Sequence, residues 1–196
     1  MTNPSASDEA LRRRAVAAAI ALTVNTPLAP KRYERQLLAR YQAGELTIDQ
    51  VLELLEASVY HVFYHSRARP GLVQADLDAL LDWSRRYNAA HGLTGLLLYS
   101  DERFVQVLEG TETAVRTLFT RIQQDERHTQ VVTLSEGPGP KRWFAEWSMT
   151  LGEVNARELE HVLDIVETKT AGPVAPLDPH LAILLQAFGL ADPDLG

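Results

Sequence analysis

Three residues near the middle of the chain carry side chains that could jointly grip a small polar ring. Tyr64 lies in "VYHVFYHSRA", Asn88 in "RRYNAAHG" and Gln106 in "RFVQVLEG". A phenol both donates and accepts, and each carboxamide offers two donors beside one carbonyl. Tyr64 and Gln106 sit inside apolar runs that read as strands, where an unpaired polar group costs on the order of 1–3 kcal/mol. Singly, each has an ordinary structural reading: a buried tyrosine finds a backbone acceptor, and an asparagine closes a helix end. Together, a phenol and two carboxamides lining one pocket suit a flat heterocycle with alternating carbonyls and ring nitrogens.

Other chemistry finds little support. His61 and His65 share one strand face but lack further ligands at useful spacing, so no metal site is expected. The "GPGP" run at residues 137–140 reads as a hairpin turn, without the strand-to-helix setting of a dinucleotide-binding loop. No P-loop and no matched acid and base are present, so an enzyme is not expected. The chain has no cysteine, which removes disulfides, thiolate catalysis and cysteine metal sites.

The elements that must position these residues follow from periodicity. Residues 59–66 form a strand with alternating apolar positions, followed by a helix over 73–91 that Gly92 stops. "LTGLLLYS" and "RFVQVLEG" are two strands joined by the tight turn Asp101-Glu102. A helix over 112–125 follows, then strands at "TQVVTLSEG" and "RWFAEWSMTLG". The order β-α-β-β-α-β-β is an α+β, ferredoxin-like core with one extra strand. The hairpin should bring the third strand beside the first, so that Tyr64 and Gln106 face the helix layer together. Three helices precede this core: one in the alanine-rich segment, one over 31–44 stopped by Gly44, and one over 46–58 with Thr47 and Gln50 at capping-box spacing. A helix from Asn155 and a short final one over 180–190 follow it, expected to cover the far face of the sheet. The expected organisation is therefore a helical extension over 1–57, a core domain over 58–152 and C-terminal helices over 153–196.

In these contexts residues 59–152 resemble the BLUF domain, a blue-light sensor that uses a flavin. The resemblance is carried by "VYHVFYHSRA", "RRYNAAHGLTGLLLYSDERFVQVLEG", "RIQQDERH" and "RWFAEWSM", in the family's order. It implies that Tyr64 is the photochemical electron and proton donor. It implies that Gln106 bridges that tyrosine to the flavin's N5 and C4 carbonyl, and that Asn88 holds the C4 carbonyl and N3–H edge. Ser84 matches a pocket residue one helical turn before Asn88. Leu80 and Ile122 match side chains that sandwich the ring, and Arg127 and His128 match residues near the ribityl-phosphate end. Trp147 and Met149 match the switching positions, expected on the last core strand. FAD is the implied cofactor, and FMN fits the same residues. Light would move an electron and a proton from the tyrosine to the flavin and back, rearranging the glutamine's hydrogen bonds and shifting absorption slightly to the red. The sequence departs from the family pattern at Tyr87, where histidine is frequent, and at Val107, where some members carry tryptophan.

Charge and length bound the partners. The 196 residues carry a formal charge of −7, which disfavours nucleic acid. Two basic against eight acidic side chains in residues 153–196 supply most of the excess. A helix-turn-helix reading of residues 31–58 fails on sign, because the last helix carries Asp49, Glu53 and Glu56. No apolar run reaches the ~18 residues of a membrane span, and "AVAAAIALTV" is followed by no small-residue cleavage site. A cytoplasmic protein is expected. The apolar face Ile48, Val51, Leu52, Leu54 and Leu55 must be covered by the tail, the core or a second copy, and a homodimer with a possible downstream protein partner is expected. Two other classes stand beside the photosensor: a light-independent flavin protein, and an interaction module with a vestigial pocket.

Overall fold

A computed structural model of the chain describes residues 6–146, 148–153 and, beyond them, 156, 157, 159, 160, 163 and 164. Helices α1 (Ala6–Thr23), α2 (Arg32–Gln42) and α3 (Ile48–Glu56) come first. They are followed by β1 (Val59–Ala68), α4 (Gln74–Ala90), β2 (Thr94–Ser100), β3 (Arg103–Gly110), α5 (Glu112–Gln123), β4 (His128–Gly139) and β5 (Thr150–Glu153). The chain divides into two compact units, residues 1–60 with 137–141 and residues 61–136 with 142–196.

The punctuation residues act as their chemistry dictates. Thr47 caps α3, its hydroxyl accepting from the Gln50 N–H at 3.2 Å while the Gln50 side chain accepts from the Thr47 N–H at 2.9 Å. Past the ends of α2 and α4, Gly44 and Gly92 take φ of +77° and +62°, a region open to glycine at no steric cost. Asp101 and Glu102, at φ +48° and +58°, make the two-residue turn whose twist matches the strands it joins. That turn fixes the β2–β3 register, which pairs Leu97 with Gln106 and Ser100 with Arg103.

The sheet order is β4-β1-β3-β2-β5. As the α+β ferredoxin-like reading requires, β1 and β3 are central neighbours. Two expectations need correction. The "GPGP" run is no hairpin turn: Gly137–Gly139 are the last residues of β4, and Pro138 is tolerated there because β4 is an edge strand. The last strand begins only at Thr150, and it pairs parallel with β2 at the opposite edge, Leu96 opposite Thr150 and Leu98 opposite Gly152. Met149 therefore precedes the last strand; Trp147 lies outside the described residues. Of the tail helix, the six described positions are helical, with Leu159 and Leu163 buried. Glu160 reaches Arg103 at 4.0 Å, near the β2–β3 turn. The remainder of that helix, the linker and the final helix lie outside the described residues.

A buried carboxylate explains why residues 142–149 leave the sheet. Glu109 is fully buried on the face of β3 opposite Gln106. Its Oε1 accepts from the Trp143 N–H at 2.8 Å and lies 3.2 Å from His61 Nε2. Its Oε2 accepts from the Phe144 N–H and from the Thr94 hydroxyl, both at 3.0 Å. Two backbone donors that a ladder would have used are thus committed to a side chain. Arg142 closes the cluster, donating to the Gly92 carbonyl at 2.7 Å and the Glu109 carbonyl at 3.1 Å. Burial alone would raise the Glu109 pKa; the hydrogen bonds from His61, Trp143 and Phe144 outweigh it and hold the carboxyl below its ordinary range.

Glu109→Ala strands four donors and should cost about 3–5 kcal/mol in urea unfolding at pH 7; Glu109→Gln should cost less. A group whose folded pKa is depressed contributes above its unfolded value of ~4.3 and loses that contribution as pH falls through the folded value. The gap between wild type and Glu109→Gln should accordingly be flat above about pH 5 and narrow below about pH 4. A loss under about 1 kcal/mol for Glu109→Ala would contradict the anchoring role.

Candidate functional site

Tyr64 and Gln106 meet because β1 and β3 are neighbours. The Tyr64 hydroxyl donates to Gln106 Oε1. The phenol is fully buried, its ring packed on Phe119 at 5.0 Å and near His128 at 6.4 Å. Burial raises its pKa above the ordinary phenol range, and the Asp125 carboxylate adds to the rise. Tyr64 therefore keeps its proton, on a hydrogen bond to Gln106.

With its carbonyl committed to Tyr64, the Gln106 amide turns its nitrogen the other way. Nε2 donates to Met149 Sδ at 3.5 Å, a weak acceptor for a group with two N–H donors. The segment before β5 is held by α4: Asn88 Nδ2 donates to the Ser148 carbonyl at 2.5 Å, and Arg85 Nε donates to the Met149 carbonyl at 3.2 Å. Asn88 Oδ1 is buried with no hydrogen-bond partner. Such an acceptor is costly to leave unmet, and a ring N–H would satisfy it.

Between α4, α5 and the sheet lies a pocket with about 470 Å³ of open space, its mouth included. Leu80, Leu97, Leu118, Ile122 and Met149 make its apolar walls, and Ser84 and Gln106 present polar groups to it. Asp125, Arg127 and His128 line another part. Asp125 is bound to Arg127, accepting from Nε at 2.9 Å and from Nη2 at 2.5 Å. The bond from Arg127 holds the Asp125 carboxyl below its ordinary range despite partial burial. His128 is buried, its Nδ1 2.8 Å from the Ser66 hydroxyl and its ring 4.7 Å from Phe104. Burial drops its pKa to about 4, with Asp125 opposing and Arg127 reinforcing the fall.

Of the residues singled out from sequence, Leu80, Ser84, Gln106, Ile122, Arg127, His128 and Met149 line this pocket; Tyr64 bonds to Gln106 in its wall, and Asn88 bonds to Ser148, next to the lining residue Met149. Sequence reasoning missed Trp83, Leu97, Leu118, Arg121 and Asp125. Helical spacing could have found three of them: Trp83 lies three residues from Leu80, Leu118 four from Ile122, and Arg121 three from Leu118. The unmet Asn88 acceptor and the weakly used Gln106 donor fit the polar edge of an isoalloxazine ring.

The family described as sensors of blue-light using FAD, BLUF, matches residues 59–150. Residues 59–150 are a BLUF domain. The photoactivated adenylate cyclase subunit beta of Euglena longa is 42% identical over 88 residues, 44% of this chain and 10% of that protein. The blue light- and temperature-regulated antirepressor BluF of Escherichia coli (strain K12) is 31% identical over 108 residues, 55% of this chain and 27% of that one. The BLUF chain thus spans a tenth to about a quarter of these relatives. Among solved structures, BlsA in its photo-activated state superposes with a TM-score of 0.52 at 26% identity, covering 67% of this chain and 94% of that one. Its ground state gives 0.50 at 29% identity, over 55% and 72%. This BLUF domain is a blue-light-sensing flavin domain with its tyrosine and glutamine hydrogen-bonded.

Proposed function

We propose that Tyr64 and Gln106 are the photoactive relay and that FAD is the flavin they serve. The observation that carries this reading is the buried Tyr64–Gln106 hydrogen bond, with the amide nitrogen turned to the weak acceptor Met149. When bound, the flavin supplies an electron acceptor that absorbs blue light. Tyr64 would give up an electron and, through Gln106, which accepts its hydrogen bond, a proton to the flavin; both would return to Tyr64 and leave the amide reversed until the dark state is restored. Reversing the amide, by rotation or tautomerisation, exchanges a carbonyl for a donor on each side. Asn88 Oδ1 accepts from the ring edge, Ser84 borders it, and Leu80 and Ile122 enclose it. Arg127, pinned to Asp125, and the neutral His128 shape the pocket's other end.

FAD is favoured over FMN by the family's own description. Blue light should shift the absorption of the yellow protein to the red, reversibly in the dark. Tyr64→Phe and Gln106→Leu should each keep the flavin and lose the shift. A normal shift in Gln106→Leu contradicts the relay; a flavin that binds but never shifts favours a light-independent flavin protein, and a colourless folded chain favours an interaction module.

The signal leaves through the helical extensions, residues 1–57 and 153–196, flanking the sensor at 58–152. Met149 stands one residue before β5, and only two residues separate α3 from the strand that carries Tyr64. Exposed Ile48 and Leu52 on α3 and Leu11 on α1 favour a homodimer, in a cytoplasmic setting. The rearranged bond is worth about 1 kcal/mol, so it can bias only a poised element. Amide hydrogen exchange should differ between dark and light within 1–57 or 145–190, and sedimentation should give twice the chain mass. Identical exchange beside a normal spectral shift, or a monomer at all concentrations, contradicts this output.

A further inference from the structure

Trp83 is 40% exposed at the rim of the pocket, an unusual place for an aromatic ring that contributes little to the core. Its ring stacks on Tyr87 at 4.9 Å and 17°, and Tyr87 stacks on His91 at 3.9 Å and 16°. Trp83 and Tyr87 lie four residues apart on one face of α4, and His91, four further on, is its C-cap. The Tyr87 carbonyl, 2.8 Å from His91 Nδ1, fixes the last ring. Trp83 is therefore a held plane, with no second ring partner among the described residues. From α5, the Arg121 guanidinium stands over Tyr87 at 5.3 Å, and it lines the same pocket. Arg121 has no carboxylate partner among the described residues, because Asp125, one turn on, is taken by Arg127.

A rigid ring beside an uncommitted cation is the chemistry that receives a nucleobase and its phosphate. We propose that Trp83 and Arg121 form a subsite for the adenylate half of FAD, Trp83 stacking on the adenine and Arg121 meeting the phosphates. This rests on the flavin reading above and adds to it a selectivity for the dinucleotide. The buried part of the pocket treats riboflavin, FMN and FAD alike, so discrimination has to come from the rim. The ladder on α4 pre-orients the stacking surface, so little ordering is needed when the base arrives.

Three flavins separate the contributions. The full chain, loaded with riboflavin, is titrated with FMN or FAD and displacement is followed by fluorescence. FAD should bind about tenfold or more tighter than FMN. Trp83→Ala should abolish that ratio while leaving the FMN-to-riboflavin ratio within about twofold, and Trp83→Phe should retain most of it. Arg121→Gln should lower FMN and FAD affinity relative to riboflavin. Equal affinity of wild type for FMN and FAD, or an unchanged preference in Trp83→Ala, overturns the subsite while leaving the flavin reading intact. Failure to bind any of the three overturns the flavin reading and the subsite with it.

Discussion

The hydrogen bond from the buried Tyr64 hydroxyl to the Gln106 carbonyl is the constraint on which the rest of the sensor depends. It requires β1 and β3 to be neighbours, with both side chains on the helix-facing side. It also gives Gln106 a direction. A carboxamide has a donor end and an acceptor end, so committing its carbonyl to Tyr64 aims its nitrogen at Met149 and the pocket. The phenol cannot exchange its proton cheaply with solvent, because burial and Asp125 oppose the charged form. Only an event inside the site can reverse the amide.

That reversal is small in energy, so its surroundings must be held still. The segment entering β5 is fixed from both faces of the sheet. Glu109 binds the Trp143 and Phe144 N–H groups on one side; Asn88 and Arg85 bind the Ser148 and Met149 carbonyls on the other. Met149 Sδ is then the single soft partner in the contact with Gln106. A hard frame around one weak contact lets a bond worth ~1 kcal/mol change a position instead of dissipating in local motion.

Much of this was legible in the sequence, for reasons tied to particular residues. Alternation placed β1, β2 and β3, the Asp101-Glu102 turn set their register, and Gly44, Gly92 and Thr47 marked helix ends. The chemistry of Tyr64, Asn88 and Gln106 pointed to a ring binder before any comparison, and the family contexts named the ring. The path of the chain after β4 was not legible. "RWFAEWSM" has strand composition, yet its Trp143 and Phe144 N–H groups go to Glu109, 34 and 35 positions earlier on β3 and invisible to local pattern. Pro138 read as a turn because its tolerance on an edge strand depends on sheet order. Arg127 and His128 match residues near the ribityl-phosphate end by context alone; that Arg127 is bound to Asp125, that His128 is buried beside Ser66, and that Arg121 lines the same pocket needed the structure.

The most direct test of the amide's role is the light-minus-dark infrared difference spectrum of the flavin carbonyl region, taken in wild type and in Gln106→Leu. A reversed Gln106 changes the group it turns to the pocket, and a carbonyl that gains or loses a hydrogen bond changes its stretching frequency. Wild type should show a shifted flavin carbonyl band that returns in the dark, and Gln106→Leu should show none. A carbonyl band that stays in place in wild type, beside a full visible red shift, would contradict the account.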